Sequence, residues 1–322
     1  MISQILLLIA GLVFIVKGAD ILVDGSSAIA RKAGISEFVI GLTIVGMGTS
    51  APEMVVSFLG AINGNPSVSL GNVIGSNIMN VLLITGITAI LMPIGISKEN
   101  KKADIPFNIL IVGALFLLGM NKTLLGHGND MISRIDGLAM VILFAAYMGW
   151  SFIKGKNAGS DATSNEDNTK EFSTFKSVSM IIIGLCALIC GGNFFVDSAT
   201  GIAHNLGISD KFIALTVLAG GTSLPELATC VVAAAKKKGQ MALGNILGSN
   251  IFNVLLILGG SAMICPLSME SISYVDMGVL ALSAFLLLFS AWTGKNDKVD
   301  RFDGTLFILC FVAYMVYLFK NL

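Results

Sequence analysis

The sequence predicts an all-α polytopic membrane protein with ten transmembrane helices arranged as two inverted five-helix repeats. Three observations carry this expectation. Of the 322 residues, 55% are hydrophobic and 12% charged, with a mean hydropathy of +0.85, whereas soluble domains carry roughly 25% charge. The apolar runs have the length of about 20 residues that crosses ~30 Å of hydrocarbon. Finally, residues 18–86 align with 191–259 at a constant offset of 173 without a gap, and 30 of the 69 positions are identical.

Taken in order, the candidate spans lie at about 2–28, 36–62, 68–92, 105–121, 134–154, 177–203, 209–235, 241–266, 274–293 and 303–320. The first has no positive leader and stays apolar past Val16 towards Val23, so it reads as a spanning helix and not as a secretory signal. Short connections carry turn formers, as in Asn63-Gly64-Asn65-Pro66 and Lys98-Glu99-Asn100-Lys101. The stretch 154–174 differs, being polar, rich in Ser, Asn and Asp, and without apolar periodicity. It reads as a flexible linker. A calcium loop counted from Asp161 would need Gly and Glu where Glu166 and Phe172 stand. The chain thus divides into a first repeat, 1–154, a cytoplasmic linker, 155–175, and a second repeat, 176–322.

Five spans per half is an odd number, so the second copy enters the membrane from the opposite side, the arrangement of many secondary transporters. The basic residues orient it. Fifteen of the 20, including Arg31, Lys98, Lys154, Lys176, Lys236 and Arg301, fall on one face, against Lys122, Arg134, Lys211 and Lys320 on the other. The excess marks the cytoplasm and puts both termini outside. Zero net charge and no basic aromatic patch argue against nucleic acid. Five cysteines without a CxxC pair point to neither disulfides nor zinc. His127 and His204 read as surface residues, Asp24 and Asp197 as interfacial contacts, and Lys17 and Asp20 as an i,i+3 pair.

The chemistry concentrates in two duplicated motifs. Gly48-Thr49-Ser50-Ala51-Pro52-Glu53 recurs as Gly221-Thr222-Ser223-Leu224-Pro225-Glu226. Glu53 is the sole charge from Phe38 to Ile62, and Glu226 the sole charge from Phe212 to Ala235. A charge at bilayer depth costs at least ~2.5–3.5 kcal/mol, so an intramembrane carboxylate is a functional residue by default. Pro52 and Pro225 lack an N–H, which frees the carbonyls of Gly48 and Gly221. Thr49 and Ser50 share the helix face of Glu53, as Thr222 and Ser223 share that of Glu226. Carboxylate, hydroxyl and carbonyl oxygens suit Na⁺, Ca²⁺ or Mg²⁺, and the lack of nearby His or Cys argues against zinc and copper. In the second motif, Gly71-Asn72-x-x-Gly75-Ser76-Asn77-x-x-Asn80 recurs as Gly244-Asn245-x-x-Gly248-Ser249-Asn250-x-x-Asn253. Ser76 and Asn80 face one way, as do Ser249 and Asn253, and the glycines permit close helix contact.

These paired motifs resemble the alpha-repeats of the cation/Ca²⁺ exchanger superfamily, and within it the Na⁺/Ca²⁺ exchanger branch with its prokaryotic members. The resemblance covers essentially the whole chain. It implies Na⁺-driven Ca²⁺ antiport by alternating access, with the first and sixth helices sliding against a bundle that holds the site. By position it implies Ca²⁺ ligands at Glu53 and Glu226 with the carbonyls of Thr49 and Thr222. The Na⁺ sites would add Ser50, Ser223, Ser76, Ser249 and the carbonyls of Gly46 and Ala219, and Asn80 and Asn253 would complete the ring. One departure stands out. Family members often carry Asp at one of the last two positions, and both here are Asn, which leaves two carboxylates in the site. The K⁺-dependent branch relies on an Asp at the position of Asn253, and the GNxxE motif of H⁺/Ca²⁺ antiporters is absent. An exchanger using H⁺ or K⁺ as counter-ion, or moving another divalent cation, is the alternative. The implied substrates are Na⁺ and Ca²⁺, with no cofactor, no catalytic residues and no obligate protein partner. A hydrolase using Ser50 or Ser223 lacks a His or Lys base beside the serine.

Overall fold

The apolar runs become helices, some of whose starts are set by local side-chain caps. The computed structural model describes residues 2–120, 123, 126, 129–158, 172–206, 219–294 and 297–321. Most of the expected linker (159–171), His127 and the first part of the seventh expected span (209–218) lie outside the described residues.

The first repeat begins with α1 (Ile2–Ala33). The second expected span is two helices, α2 (Glu37–Thr49) and α3 (Ala51–Ile62), bent by 49°. Next come α4 (Pro66–Leu91), α5 (Asn100–Gly119) and α6 (Arg134–Ala158). The second repeat contains α7 (Thr174–Asn205), the short α8 (Ala219–Gly221), α9 (Leu224–Ala235), α10 (Gly239–Ile264), α11 (Tyr274–Thr293) and α12 (Arg301–Lys320). Among the described residues, eight helices are each long and apolar enough to cross a membrane, or nine spans with the bent α2–α3 pair. The seventh expected span is described only from Ala219 onward.

Capping explains several starts. Ser273 and Asp276 satisfy each other's backbone N–H groups at the head of α11, and Asp300 and Asp303 do the same at α12. Such reciprocal caps pair the donors a helix start leaves free. Pro66 opens α4, where its missing N–H costs nothing.

The inverted relation is visible in three sets of contacts. An added Cβ at Gly11 would lie 2.8 Å from the Gly191 carbonyl, one at Gly18 would lie 2.9 Å from that of Gly184, and one at Gly25 2.9 Å from that of Ser177. Numbers rise along α1 as they fall along α7, so the two equivalent helices run antiparallel. Gly86 of α4 meets Gly304 of α12, and their counterparts Gly259 of α10 and Gly137 of α6 meet each other. Two short antiparallel ladders complete the set: β1 (Ile94–Gly95) pairs with β4 (Lys298–Val299), and β2 (Met131–Ile132) with β3 (Leu267–Ser268). Each joins one repeat to the other. The central helices are α4 and α10, whereas α1, α7 and α12 are the outer ones, only 28%, 28% and 11% buried against 94% for α10.

The glycine seam yields a first prediction. Gly18→Leu is expected to pry α1 from α7, because overpacking a tight contact costs ~1–3 kcal/mol. The thermal midpoint of the detergent-purified protein should fall by several degrees, while Gly149→Leu, on an open face of α6, should leave it unchanged.

The ion pairs correct one expectation. Asp20 and Asp24 both meet Lys236, at 2.7 and 2.6 Å. Sequence proximity suggested Lys17 as the partner of Asp20, but the fold brings the end of α9 against α1. Lys238 pairs likewise with Glu37 at 2.7 Å.

Candidate ion-binding site

The proline of each motif does not interrupt a continuous helix. Pro52 lies at a helix start, not in a helix interior. The chain leaves helical geometry at Ser50 (φ −83°, ψ 10°) and restarts at Ala51, so Pro52 sits in the first turn of α3. Pro225 does the same after Ser223 (φ −89°, ψ 6°) at the head of α9. Each break puts its glutamate in the first turn of the new half-helix, where the helix dipole favours negative charge. Both are buried, Glu53 at 0% and Glu226 at 1% exposure.

The third span of each repeat supplies the opposite wall. Asn80 begins a π-helical stretch, Asn80–Ile84, inside α4, and Asn253 lies in the matching stretch, Phe252–Leu258, of α10. A π turn re-aims side chains within a continuous helix and recurs at functional sites.

These four elements bring the expected residues together across the repeats. Ser50 Oγ donates to Glu226 Oε1 at 2.8 Å, and Ser223 Oγ donates to Glu53 Oε1 at 3.2 Å. Ser76 Oγ lies 3.1 Å from Ser223 Oγ and 3.5 Å from Glu53 Oε1. Asn80 Nδ2 donates to Asn250 Oδ1 at 3.1 Å, and Asn253 Nδ2 donates to Asn77 Oδ1 at 3.0 Å. Within this cluster, four carboxylate and amide oxygens are left buried without a hydrogen-bond partner: Glu53 Oε2, Glu226 Oε2, Asn80 Oδ1 and Asn253 Oδ1. Buried polar groups are normally paired, and four unpaired acceptors from two pairs of equivalent positions form a set that one cation could satisfy.

The remaining expected residues are unequally placed. Ser249 Oγ donates to the Gly46 carbonyl at 3.2 Å, and Thr49 Oγ1 lies 3.0 Å from the Val45 carbonyl and 3.1 Å from Asn245 Oδ1. Thr222, the counterpart of Thr49, has an unpartnered hydroxyl. Ala219 is the first described residue of its half-helix, three residues before Thr222. The glycines differ in the same way. Gly244 and Gly248 pack on the α2 backbone so tightly that an added Cβ would run into the carbonyls of Phe38 and Leu42. Gly71 and Gly75 instead line a cavity of about 910 Å³ that reaches Ser76 and Thr222 and extends past Asp197, Asp276 and Tyr314 to Leu318. Among the described residues, then, Gly244 and Gly248 make the close contact the spacing suggested, and Gly71 and Gly75 do not.

Four further asparagines belong to the site's frame. Asn72 donates to the Glu53 carbonyl at 3.1 Å and to Ser57 Oγ at 2.9 Å, and Asn245 donates to Cys230 Sγ at 3.2 Å. Asn77 and Asn250 hold Asn253 and Asn80. Their duplication was the available signal. Among the described residues no cluster of three His, Cys, Asp or Glu side chains forms.

With this geometry in hand, the comparisons with known proteins are specific. The family model described as sodium/calcium exchanger protein matches residues 3–153 and again 176–320. The chain belongs to that family. The member from Methanosarcina acetivorans named sodium/calcium exchanger MaX1 is 34% identical over 98% of each chain. A Methanocaldococcus jannaschii membrane protein, MJ0091, is 36% identical over 94% of this chain and 93% of its own length. A solved structure of the sodium-calcium exchanger NCX_Mj, soaked with 10 mM Na⁺ and zero Ca²⁺, superposes with a TM-score of 0.84 at 35% identity over 98% of both chains. This family member is therefore a multi-pass membrane protein of two repeats, and each matched segment holds one glutamate and one π-embedded asparagine of the site.

Proposed function

We propose that the chain is a secondary active antiporter that exchanges Na⁺ for Ca²⁺ by alternating access through one shared ion site. The observation that carries this reading is the set of four unpartnered acceptor oxygens on Glu53, Glu226, Asn80 and Asn253. Two carboxylates balance one Ca²⁺. Na⁺ would use the same carboxylates together with Ser50, Ser223, Ser76, Ser249, Thr49, Thr222 and the carbonyls of Gly46 and Ala219. Because the two ions need the same two charges, they exclude each other, and exclusion turns transport into exchange. The family membership and the oxygen-only chemistry support this assignment.

Residues 1–154 and 176–322 act as the two repeats, with 155–175 a cytoplasmic linker. On the Lys/Arg count, the mouth of the cavity is extracellular and the packed face of α2 and α10 is cytoplasmic. That makes this conformation closed on the cytoplasmic side. It also gives Lys236 a role, since the counterparts of Asp20 and Lys236 on the other face are Asn193 and Asn63. Lys236→Met should weaken this conformation and raise the extracellular KM for Ca²⁺ by no more than about fivefold, as expected for half-exposed pairs worth ~0.2–1 kcal/mol.

The test is ⁴⁵Ca²⁺ uptake into proteoliposomes loaded with Na⁺, H⁺ or K⁺ against matched outside buffers. Uptake driven by the outward Na⁺ gradient alone is the expected result. Uptake that follows H⁺ or K⁺ and ignores Na⁺ would replace this reading with the alternative counter-ion.

A further inference from the structure

We propose that Asn77 is a positioning residue for the ion site: it fixes which end of Asn253, on the opposing repeat, faces the ion. The inference rests on the proposed site and adds to it a polarised chain of amides.

An asparagine can present either its oxygen or its NH₂ group, and for a cation site the choice is decisive. Only the oxygen can ligate, while an inward NH₂ group would repel the ion. Nothing in Asn253 itself makes that choice. Asn77 Nδ2 donates to the backbone carbonyl of Asn250 at 3.2 Å. A backbone carbonyl only accepts, so this bond settles which end of Asn77 is which. The Asn77 oxygen is then left to face Asn253, and it accepts from Asn253 Nδ2 at 3.0 Å. Asn253 Nδ2 also lies 3.3 Å from Ser76 Oγ. With its donors engaged, Asn253 leaves Oδ1 as the end without a partner. A fixed backbone dipole of one repeat is thus relayed through Asn77 to orient a side chain of the other repeat. On the other side, Asn80 Nδ2 donates to Asn250 Oδ1 at 3.1 Å and Asn80 Oδ1 is likewise unpartnered, without a backbone anchor on Asn250, among the described residues, equivalent to that of Asn77. All four asparagines are buried, so water does not compete for these bonds.

The relay also explains why a neutral side chain suits position 253. An ionised carboxylate there would set oxygen against the Asn77 oxygen, an acceptor facing an acceptor. Relief would require a proton on that carboxylate or rotation of Asn77 away from the Asn250 carbonyl. The chain's departure from Asp at this position and the orientation of Asn77 are therefore matched features.

The experiment is a double-mutant cycle on the full-length protein in proteoliposomes, reading KM and kcat for Na⁺-driven Ca²⁺ uptake. Asn77→Leu keeps the side-chain shape and removes both bonds. It should raise the Ca²⁺ KM about tenfold or more, the scale on which ligand-orienting partners act, with kcat changed less than twofold. In an Asn253→Ala background, where no amide remains to be oriented, Asn77→Leu should have little further effect on KM. Asn77→Asp retains an acceptor for Asn253 Nδ2 and should be impaired less than Asn77→Leu; it serves equally if the leucine variant does not fold. Additive effects in the cycle, an unchanged KM, or equal impairment by Asp and Leu would overturn the relay. If the unmodified protein shows no Na⁺-driven uptake, the antiport reading fails instead, and the two failures are distinct.

Discussion

Glu53→Gln is expected to abolish Na⁺-driven Ca²⁺ uptake, and Glu226→Gln to do the same. Both carboxylates are buried, each takes one serine hydroxyl from the opposite repeat, and each keeps one oxygen unpartnered. The amide substitution preserves shape but removes half of the charge that faces the cation. Breaking a buried charge pair from one side costs ~3–5 kcal/mol, which converts to a loss of more than about 100-fold in affinity. Stability without ions should move the other way. An uncompensated carboxylate at this depth is a burden, so the purified variants should melt no lower than the unmodified protein in ion-free buffer. Added Ca²⁺ should raise the melting temperature of the unmodified protein, as ligands of the folded state do, and leave that of either variant unmoved. A variant that lost transport because it misfolded would fail the first half of this comparison.

The second large effect concerns glycines that the sequence presents as equivalent. Gly75→Ala should leave outside Ca²⁺ binding near normal, because no described atom lies within 4 Å of the added Cβ and Gly75 lines the cavity. Transport should nevertheless fall about 10- to 100-fold. Alternating access in inverted repeats requires the two halves to exchange environments, so the face that holds Gly71 and Gly75 must close as tightly as the face of Gly244 and Gly248 is closed here. An overpacked methyl costs ~1–3 kcal/mol at such a contact. Gly248→Ala should act in the opposite sense, pushing α2 off α10 and favouring the other conformation. Accessibility of a cysteine introduced at Ser67, on the cavity wall, reports the difference: it should decrease with Gly248→Ala and persist with Gly75→Ala. Identical responses from the two variants would count against exchange of the faces.

Much of the site was legible because membrane depth makes polar residues conspicuous. Glu53 and Glu226 stood out as single charges in long apolar runs, and the 173-residue offset paired them before any contact was known. The structure brings Ser50, Ser223 and Ser76 into the same cluster. The rest depended on facts that local sequence does not hold. A Pro within an apolar run reads as a kink, but the break falls earlier, at Ser50, so that Pro52 begins a helix. The π turns at Asn80–Ile84 and Phe252–Leu258 leave no periodicity signal in short apolar segments. Asn77 and Asn250 carry no role in the sequence beyond membership of the repeated GSN, because their partners sit about 170 positions away. Lys236 found Asp20 and Asp24 for the same reason. Because both repeats carry the same motif, the sequence could not tell that Thr49 is hydrogen-bonded whereas the Thr222 hydroxyl has no partner.

The measurement closest to the central claim is Ca²⁺ binding to the purified protein titrated against Na⁺, with K⁺ replacing Na⁺ at constant ionic strength. A single site shared through Glu53 and Glu226 requires the apparent Kd for Ca²⁺ to rise steeply and without limit as Na⁺ increases, with more than one Na⁺ displacing each Ca²⁺. A Ca²⁺ affinity that ignores Na⁺, or that reaches a plateau with both ions bound, would contradict the shared site.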